Sequence, residues 1–274
     1  IQTYAILSNH FHVLVRVPQK RALSDEELLR RYRLLHTKPT RYQTQRLEVI
    51  EAWLKQGNRE GEVWREGQRE QMNDVSWFMK LVKQRFTIWY NKTHGRYGTL
   101  WAERFKSVLI EPRHHAIQTV ALYIDLNPLR AGLVKDPKDY RYSGYGEAVA
   151  GGRQAREGLQ SVYGENWEQT QSAHRQGLYG KAVETRQNAA AISERDFETV
   201  LKQKGRLSLS EVLRCRVRYF TDGAVLGSRA FVEQHLEDYR KRYGVKRVTP
   251  RELEAVTDWK GLMTLRSLRR NVFG

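Results

Sequence analysis

A single cysteine, Cys215, stands in a chain of 274 residues. It excludes an internal disulfide framework and any cysteine-rich zinc site. It also fits a reducing compartment, so a cytoplasmic location is expected. Long apolar runs are missing as well. The longest are five or six residues, as in Val120–Ile124, whereas a membrane span needs ~20. No membrane partner is expected, and no secretory signal is visible. No Gly-x-x-x-x-Gly-Lys-Ser/Thr run is present, which removes the usual phosphate cradle of a nucleotide-driven motor. Acid is scarce relative to base. Asp and Glu total 31 against 48 Lys and Arg, a net charge of +17. A polyanion is therefore the first partner to consider.

What is present divides along the chain. Thr3–Leu7 and the β-branched stretch His10–Val17 flank Ser8-Asn9, which carries turn chemistry. Two antiparallel strands joined by a tight turn are expected, with Pro18 closing the second. Nothing precedes this pattern but Ile1 and Gln2, and we expect that an N-terminal piece of the natural protein lies before it. Residues 19–72 read as a helical insertion. Ser24 and Glu27 form a capping box at the start of one helix. Tyr42–Lys55 carries Leu47, Ile50 and Leu54 at helical spacing, and polar residues 56–71 follow. Asn73 is expected to cap a long helix whose apolar residues recur every three or four positions, from Val75 through Phe86 and Trp89 to Tyr90. Gly95 and Gly98 end it. Thr99–Ile110 reads as a strand. Pro112 opens a further helix that runs to about Asn127, before Pro128.

Past Ala150 the texture changes. Gly151-Gly152 and a Gln-rich stretch read as a linker. Helical patterns return at 192–204 and 208–245, where Ser208 and Glu211 form a second capping box and Gly223 and Gly227 separate two helices. This pair is expected either to pack generically or to form a helix-turn-helix-like module presenting Arg214, Arg216, Arg218 and Arg229. The tail after Lys246 is basic. The division expected is 1–150 for one domain and 151–274 for a linker and helical region.

Two small signals carry chemistry. In a strand, residues two apart share a face, so the imidazoles of His10 and His12 project together. Two neutral imidazoles are half of a divalent-metal site, although His-x-His alone is equally a pair of polar surface residues. Tyr123 and Asn127 lie four apart on a predicted helix and share one face beside the apolar Ile117, Val120, Ala121 and Ile124. Alone, they are a half-buried tyrosine and a helix terminator. Asp125, two residues from Tyr123, points away and is not assigned as a base. Jointly, two imidazoles, a carboxamide and a phenol suit transesterification. A metal on the phosphate oxygens makes phosphorus more electrophilic, and the phenol attacks it to give a phosphotyrosine.

Those residues sit in longer segments. YAILSNHFHVLVRV (4–17) resembles the histidine hairpin of the single-tyrosine HUH transposases. FMKLVKQRFTIWYNKTHGRYGTLWAERFKSVLIE (78–111) resembles the long helix and strand that follow it in the REP-associated tyrosine transposase group. ALYIDLNPLRAGLVKDPKDYRYSGY (121–145) resembles that group's tyrosine-helix block. Three blocks occur in order over roughly residues 1–147. The resemblance implies an α+β fold with a ferredoxin-like core, an antiparallel sheet with helices on one face. It implies that His10, His12 and Asn127 bind Mg²⁺ or Mn²⁺ and that Tyr123 is the nucleophile. The implied substrate is single-stranded DNA beside short imperfect hairpins. The implied setting is prokaryotic and nucleoid-associated, and both a monomer and a homodimer fit. The family carries a strand and a helix before the hairpin that this chain lacks.

The remaining candidates are cationic. Residues 76–110 hold Lys80, Lys83, Arg85, Lys92, Arg96, Arg104 and Lys106 against Glu103 alone, interleaved with aromatics. Lys83, Arg96, Arg104, Lys106 and Arg130 are expected to contact DNA, Arg130 by holding a phosphate bidentately. Phe86 and Trp89, on the apolar stripe, are expected in the core. The rival to an enzyme is a non-catalytic, domesticated binder of hairpin DNA or RNA, which needs the basic surface but not His10, His12 or Tyr123. A replication-initiator nuclease of like chemistry would carry a helicase segment.

Overall fold

The computed structural model describes residues 1–19, 21–179, 209–214, 220, 223–243, 249–253 and 259–266. The fold is α+β. It divides into two compact units, one formed by residues 1–16 and 106–274 and the other by residues 17–105.

The first unit opens with the expected hairpin. β1 (Thr3–Ile6) pairs antiparallel with β2 (Phe11–Leu14), and Ala5 stands opposite His12. Leu7 N–H donates to the His10 carbonyl at 2.9 Å, closing the turn over Ser8 and Asn9. β2 is shorter than the β-branched run His10–Val17, because only residues 11–14 have partners on β1.

The long strand expected at Thr99–Ile110 is reduced to β3 (Leu109–Ile110). Glu103, Arg104, Lys106 and Ser107 break up its apolar residues and leave no alternating apolar face for a sheet to bury. Behind it comes α5 (His114–Asp125). It ends two residues earlier than expected, and the short α6 (Asn127–Arg130) follows with Pro128 inside its first turn. Proline there lacks only an N–H that the first turn leaves unpaired anyway, so it starts α6 as readily as it ends α5.

α7 (Gly144–Val149), α8 (Arg153–Tyr163) and α9 (Trp167–Tyr179) complete the packing. Residues 151–179, expected as linker, are helical. Leu159, Val162 and Leu178 share one core with Ala5, Leu14, Val120, Ala121 and Leu126. Glycine permits this closeness: a Cβ at Gly158 would stand 2.7 Å from the carbonyl oxygens of Ile1 and Gln2, and one at Gly177 would stand 2.6 Å from Leu122 Cδ1. A larger residue at either site would push α8 off β1 or α9 off α5.

Further on, α10 (Leu209–Arg214) is followed by β4 (Gly223–Gly227), then α11 (Arg229–Tyr243), β5 (Arg251–Glu252) and β6 (Met263–Arg266). The helix-turn-helix expectation fails here. Gly223 and Gly227 bound a strand rather than a break between helices, since Ala-Val-Leu between them is a buried apolar run. β4 pairs parallel with β3 and antiparallel with β6, in the order β3-β4-β6-β5. The tail after Lys246 thus supplies two strands. Arg229 pairs with Glu252 at 2.6 Å. The helical pattern at 192–204, Ser208, Arg216 and Arg218 lie outside the described residues.

The second unit holds α1 (Asp25–Leu35), α2 (Arg41–Gln56), α3 (Arg59–Gln71) and α4 (Val75–His94). Ser24 caps α1 as expected, accepting from Glu27 N–H. The Glu27 carboxylate pairs with Arg30 and Arg31. The polar stretch 56–71, part of the expected helical insertion but with no helix of its own assigned from spacing, is mostly α3. Its few apolar residues hid the periodicity, and its stability comes from a cap at Asn58 and from Arg65, which grips Asp25 bidentately at 2.7 and 2.8 Å. The cap of α4 is Asp74, not Asn73; Asn73 instead takes a left-handed backbone, φ 61°. Leu28, Ile50 and Met79 are its buried apolar residues.

Candidate active site

The first unit gathers five of the predicted residues. β2 carries His12, the turn before it carries His10, α5 carries Tyr123, and α6 carries Asn127 and Arg130. The His10 and His12 rings stand edge to face with centroids 5.1 Å apart, and the His12 and Tyr123 rings are 6.0 Å apart. Residues more than a hundred positions apart are therefore neighbours, because α5 packs its Ala121 and Ile124 against the hairpin's Ala5 and Leu14 in one core.

The two imidazoles differ in environment. His10 is exposed, and its Nδ1 faces Asn9 Oδ1 at 2.6 Å. A carbonyl oxygen only accepts, so Nδ1 is the donor in this contact. His12 is half-buried. Its pKa is lowered to about 4, chiefly by burial and further by His10 and the Arg130 guanidinium. His12 is neutral at neutral pH, the state a metal ligand requires.

Tyr123 is 3% exposed. Its ring is flanked by Phe220, centroids 4.7 Å apart, and by the Arg130 guanidinium, 4.0 Å from the ring centroid. Phe220 had no signal in the sequence, being nearly a hundred residues downstream. Arg130 donates to Leu213 O at 2.8 Å, to Tyr123 O at 3.2 Å and to Asn127 Oδ1 at 2.5 Å. Asn127 itself donates Nδ2 to Tyr123 O at 3.0 Å and Ile124 O at 3.1 Å. Its amide cannot be turned over, because Oδ1 would then oppose two carbonyls and Nδ2 a guanidinium. Asn127 and Arg130 thus close the C-terminus of α5, satisfying carbonyls that helix ends leave unpaired.

This chemistry bears on a metal. Two imidazole nitrogens fit a borderline cation such as Mn²⁺ better than Mg²⁺, which favours oxygen. The third predicted donor, Asn127 Oδ1, accepts from the Arg130 guanidinium, whose positive charge opposes a cation at that oxygen. Among the described residues, no group of three or more His, Cys, Asp or Glu is gathered for a metal ion.

A second polar cluster lies on the far side of α5. Asp125 points away from Tyr123, as expected from its spacing, and is fully buried. Its oxygens accept from Thr3 Oγ1 at 3.0 Å, and Oδ2 lies 3.1 Å from His174 Nε2, off the line of a good hydrogen bond. His174, also fully buried, shares a 2.8 Å hydrogen bond with Tyr163 Oη. This cluster ties β1, α5, α8 and α9 together. It was invisible to local spacing, since Thr3 and Asp125 are 122 positions apart.

Of the predicted cations, Lys83, Arg96 and Arg104 belong to the second unit and Lys106 to the first. Arg96, Arg104 and Lys106 are exposed, while Lys83 donates to Glu103 O at 2.8 Å. No helix of the described residues is long and apolar enough to cross a membrane. No family model matches the chain, and no curated protein or solved structure matches it either.

Proposed function

We propose that the chain is a metal-dependent transposase-type endonuclease and ligase acting on single-stranded DNA beside hairpins, built on a ferredoxin-like core of which the β1–β2 hairpin and α5 are part. The observation that carries this reading is the approach of His10, His12 and Tyr123, three groups of the predicted chemistry drawn from distant parts of the chain.

In this reading His10 and His12 would hold Mn²⁺ or Mg²⁺ through ring nitrogens, and Asn127 would supply the carboxamide oxygen. The cation, when bound, draws charge from the phosphate oxygens. Tyr123 Oη attacks phosphorus. A Tyr–O–P bond forms as the P–O3′ bond breaks, the phenolic proton passes to water, and the departing O3′ is protonated. The 5′-phosphotyrosine conserves the bond energy, so the reverse attack by a 3′-hydroxyl rejoins strands without a nucleotide cofactor. Arg130, freed from Asn127, pairs with the phosphate. Because Tyr123 lies under Phe220 and Arg130, the attack follows their displacement from its ring.

The test is covalent capture. Labelled hairpin DNA with a single-stranded flank is incubated with the chain and Mn²⁺, and the adduct is resolved under denaturing conditions. The wild-type chain gives an adduct, and Tyr123→Phe and the pair His10→Ala, His12→Ala give none. An adduct retained by Tyr123→Phe overturns the assignment.

A second reading is a non-catalytic hairpin binder. It is favoured by the burial of Tyr123 and by the Arg130 contact that fills the Asn127 oxygen. It predicts DNA binding unaffected by His10→Ala or His12→Ala, with no adduct from any variant.

A further inference from the structure

Phe86 and Trp89, expected in the core, are 43% and 56% exposed. Their spacing places them on one helical face, but that face is open rather than buried. Val82, Arg85, Phe86 and Trp89 follow i, i+3, i+4, i+7 spacing and lie on one face of α4. The face continues to Lys92, and past Gly95 the chain turns through Arg96, Tyr97 and Gly98. Tyr97 is 95% exposed. It rides between Gly95 and Gly98, whose φ values of 59° and 87° suit a tight turn. The Phe86 and Trp89 rings are 5.6 Å apart and tilted by 42°.

Charge separates this face from the rest of its unit. Residues 17–74 hold 12 Lys and Arg against 10 Asp and Glu, and many of these pair. Residues 75–105 hold six cations against Glu103 alone. A protein partner covering the aromatics would have to desolvate Lys92 and Arg96 beside them. An unpaired strand meets both chemistries at once, because phosphates take the cations and bases stack on the rings.

We infer that the face of α4 bearing Phe86 and Trp89, together with Tyr97, is a stacking platform for an unpaired DNA strand, with Lys92 and Arg96 on its phosphates. The inference rests on the proposed single-stranded DNA partner but not on the chemistry of Tyr123. Duplex DNA is a poorer fit, since its bases are already stacked.

The test uses the full chain carrying Tyr123→Phe, in EDTA, with fluorescein-labelled dT12 followed by anisotropy. In this background Trp89→Ala weakens dT12 binding about tenfold, Tyr97→Ser weakens it by a similar factor, and Trp89→Phe restores most of the loss. A blunt duplex of equal length changes less than about twofold in the same variants, its base faces being closed to stacking. Arg96→Ala lowers the slope of log affinity against log salt by about 0.7, one phosphate contact on a single strand. Tyr97→Ser keeps the test decisive if Trp89→Ala misfolds, because a side chain so exposed holds nothing in place. Unchanged dT12 affinity in the aromatic variants, or an equal loss for the duplex, overturns the inference. Failure of covalent capture alone leaves it standing, since this assay contains neither metal nor the Tyr123 hydroxyl.

Discussion

Tyr123 and Trp89 make the useful comparison. Both lie on amphipathic helices, both carry cations nearby, and both were assigned from helical spacing. Tyr123 is 3% exposed, with Phe220, Arg130 and His12 around its ring. Trp89 is 56% exposed beside Phe86. Periodicity states which residues share a face; only distant chain decides whether that face is covered. For α5 the cover comes from β1–β2, α8, α9 and Phe220. For α4 the aromatic face is left open along with its surplus cations.

The comparison breaks first at Asp125. Its carboxylate is buried against Thr3 and His174, so Asp125→Ala strands the Thr3 hydroxyl, takes the carboxylate from beside His174 and destabilises the chain by about 3–5 kcal/mol. Urea unfolding followed by far-UV circular dichroism reads this as a lowered midpoint. An unchanged midpoint would mean that the polar cluster does not hold α5 to its neighbours.

Acid is the next lever. Burial holds the His12 pKa at about 4, below its ordinary 6.5. Between those values the unfolded chain binds more protons than the folded one, so stability is full above about pH 6.5 and falls as pH drops toward 4. The loss amounts to at most about 3 kcal/mol. Unfolding midpoints at pH 7 and pH 4.5 measure it, and His12→Gln should remove that part of the slope. A slope identical in His12→Gln would place the titration elsewhere.

The smallest expected effect sharpens the contrast. Trp89→Ala at an open surface changes unfolding free energy by only about 0.5 kcal/mol or less. A loss of several kcal/mol would show that the ring supports its unit rather than standing ready for a ligand.

These elements also mark how far sequence reached. The β1–β2 hairpin was legible because Ser8-Asn9 and β-branched runs are local signals. The start of α1 was legible from Ser24, and the end of α4 from Gly95. α3 was not, because its helix is held by Asn58 and by Arg65 reaching Asp25 rather than by an apolar stripe. The strand β4 was misread as two helix breaks, since Gly223 and Gly227 give the same local signal at either boundary. At the site, His10, His12 and Tyr123 were found by chemical type and spacing. The Arg130–Asn127 bond, Phe220 and the Thr3–Asp125–His174 cluster were not, because each joins groups that only the folded chain brings together.

The most direct measurement is mass spectrometry of the captured protein after nuclease and protease digestion. The account predicts a nucleotide mass on the peptide containing Tyr123 and on no other, formed in Mn²⁺ and lost in EDTA. A nucleotide on a different one of the 14 tyrosines, or no modified peptide from protein that binds the hairpin, would contradict it.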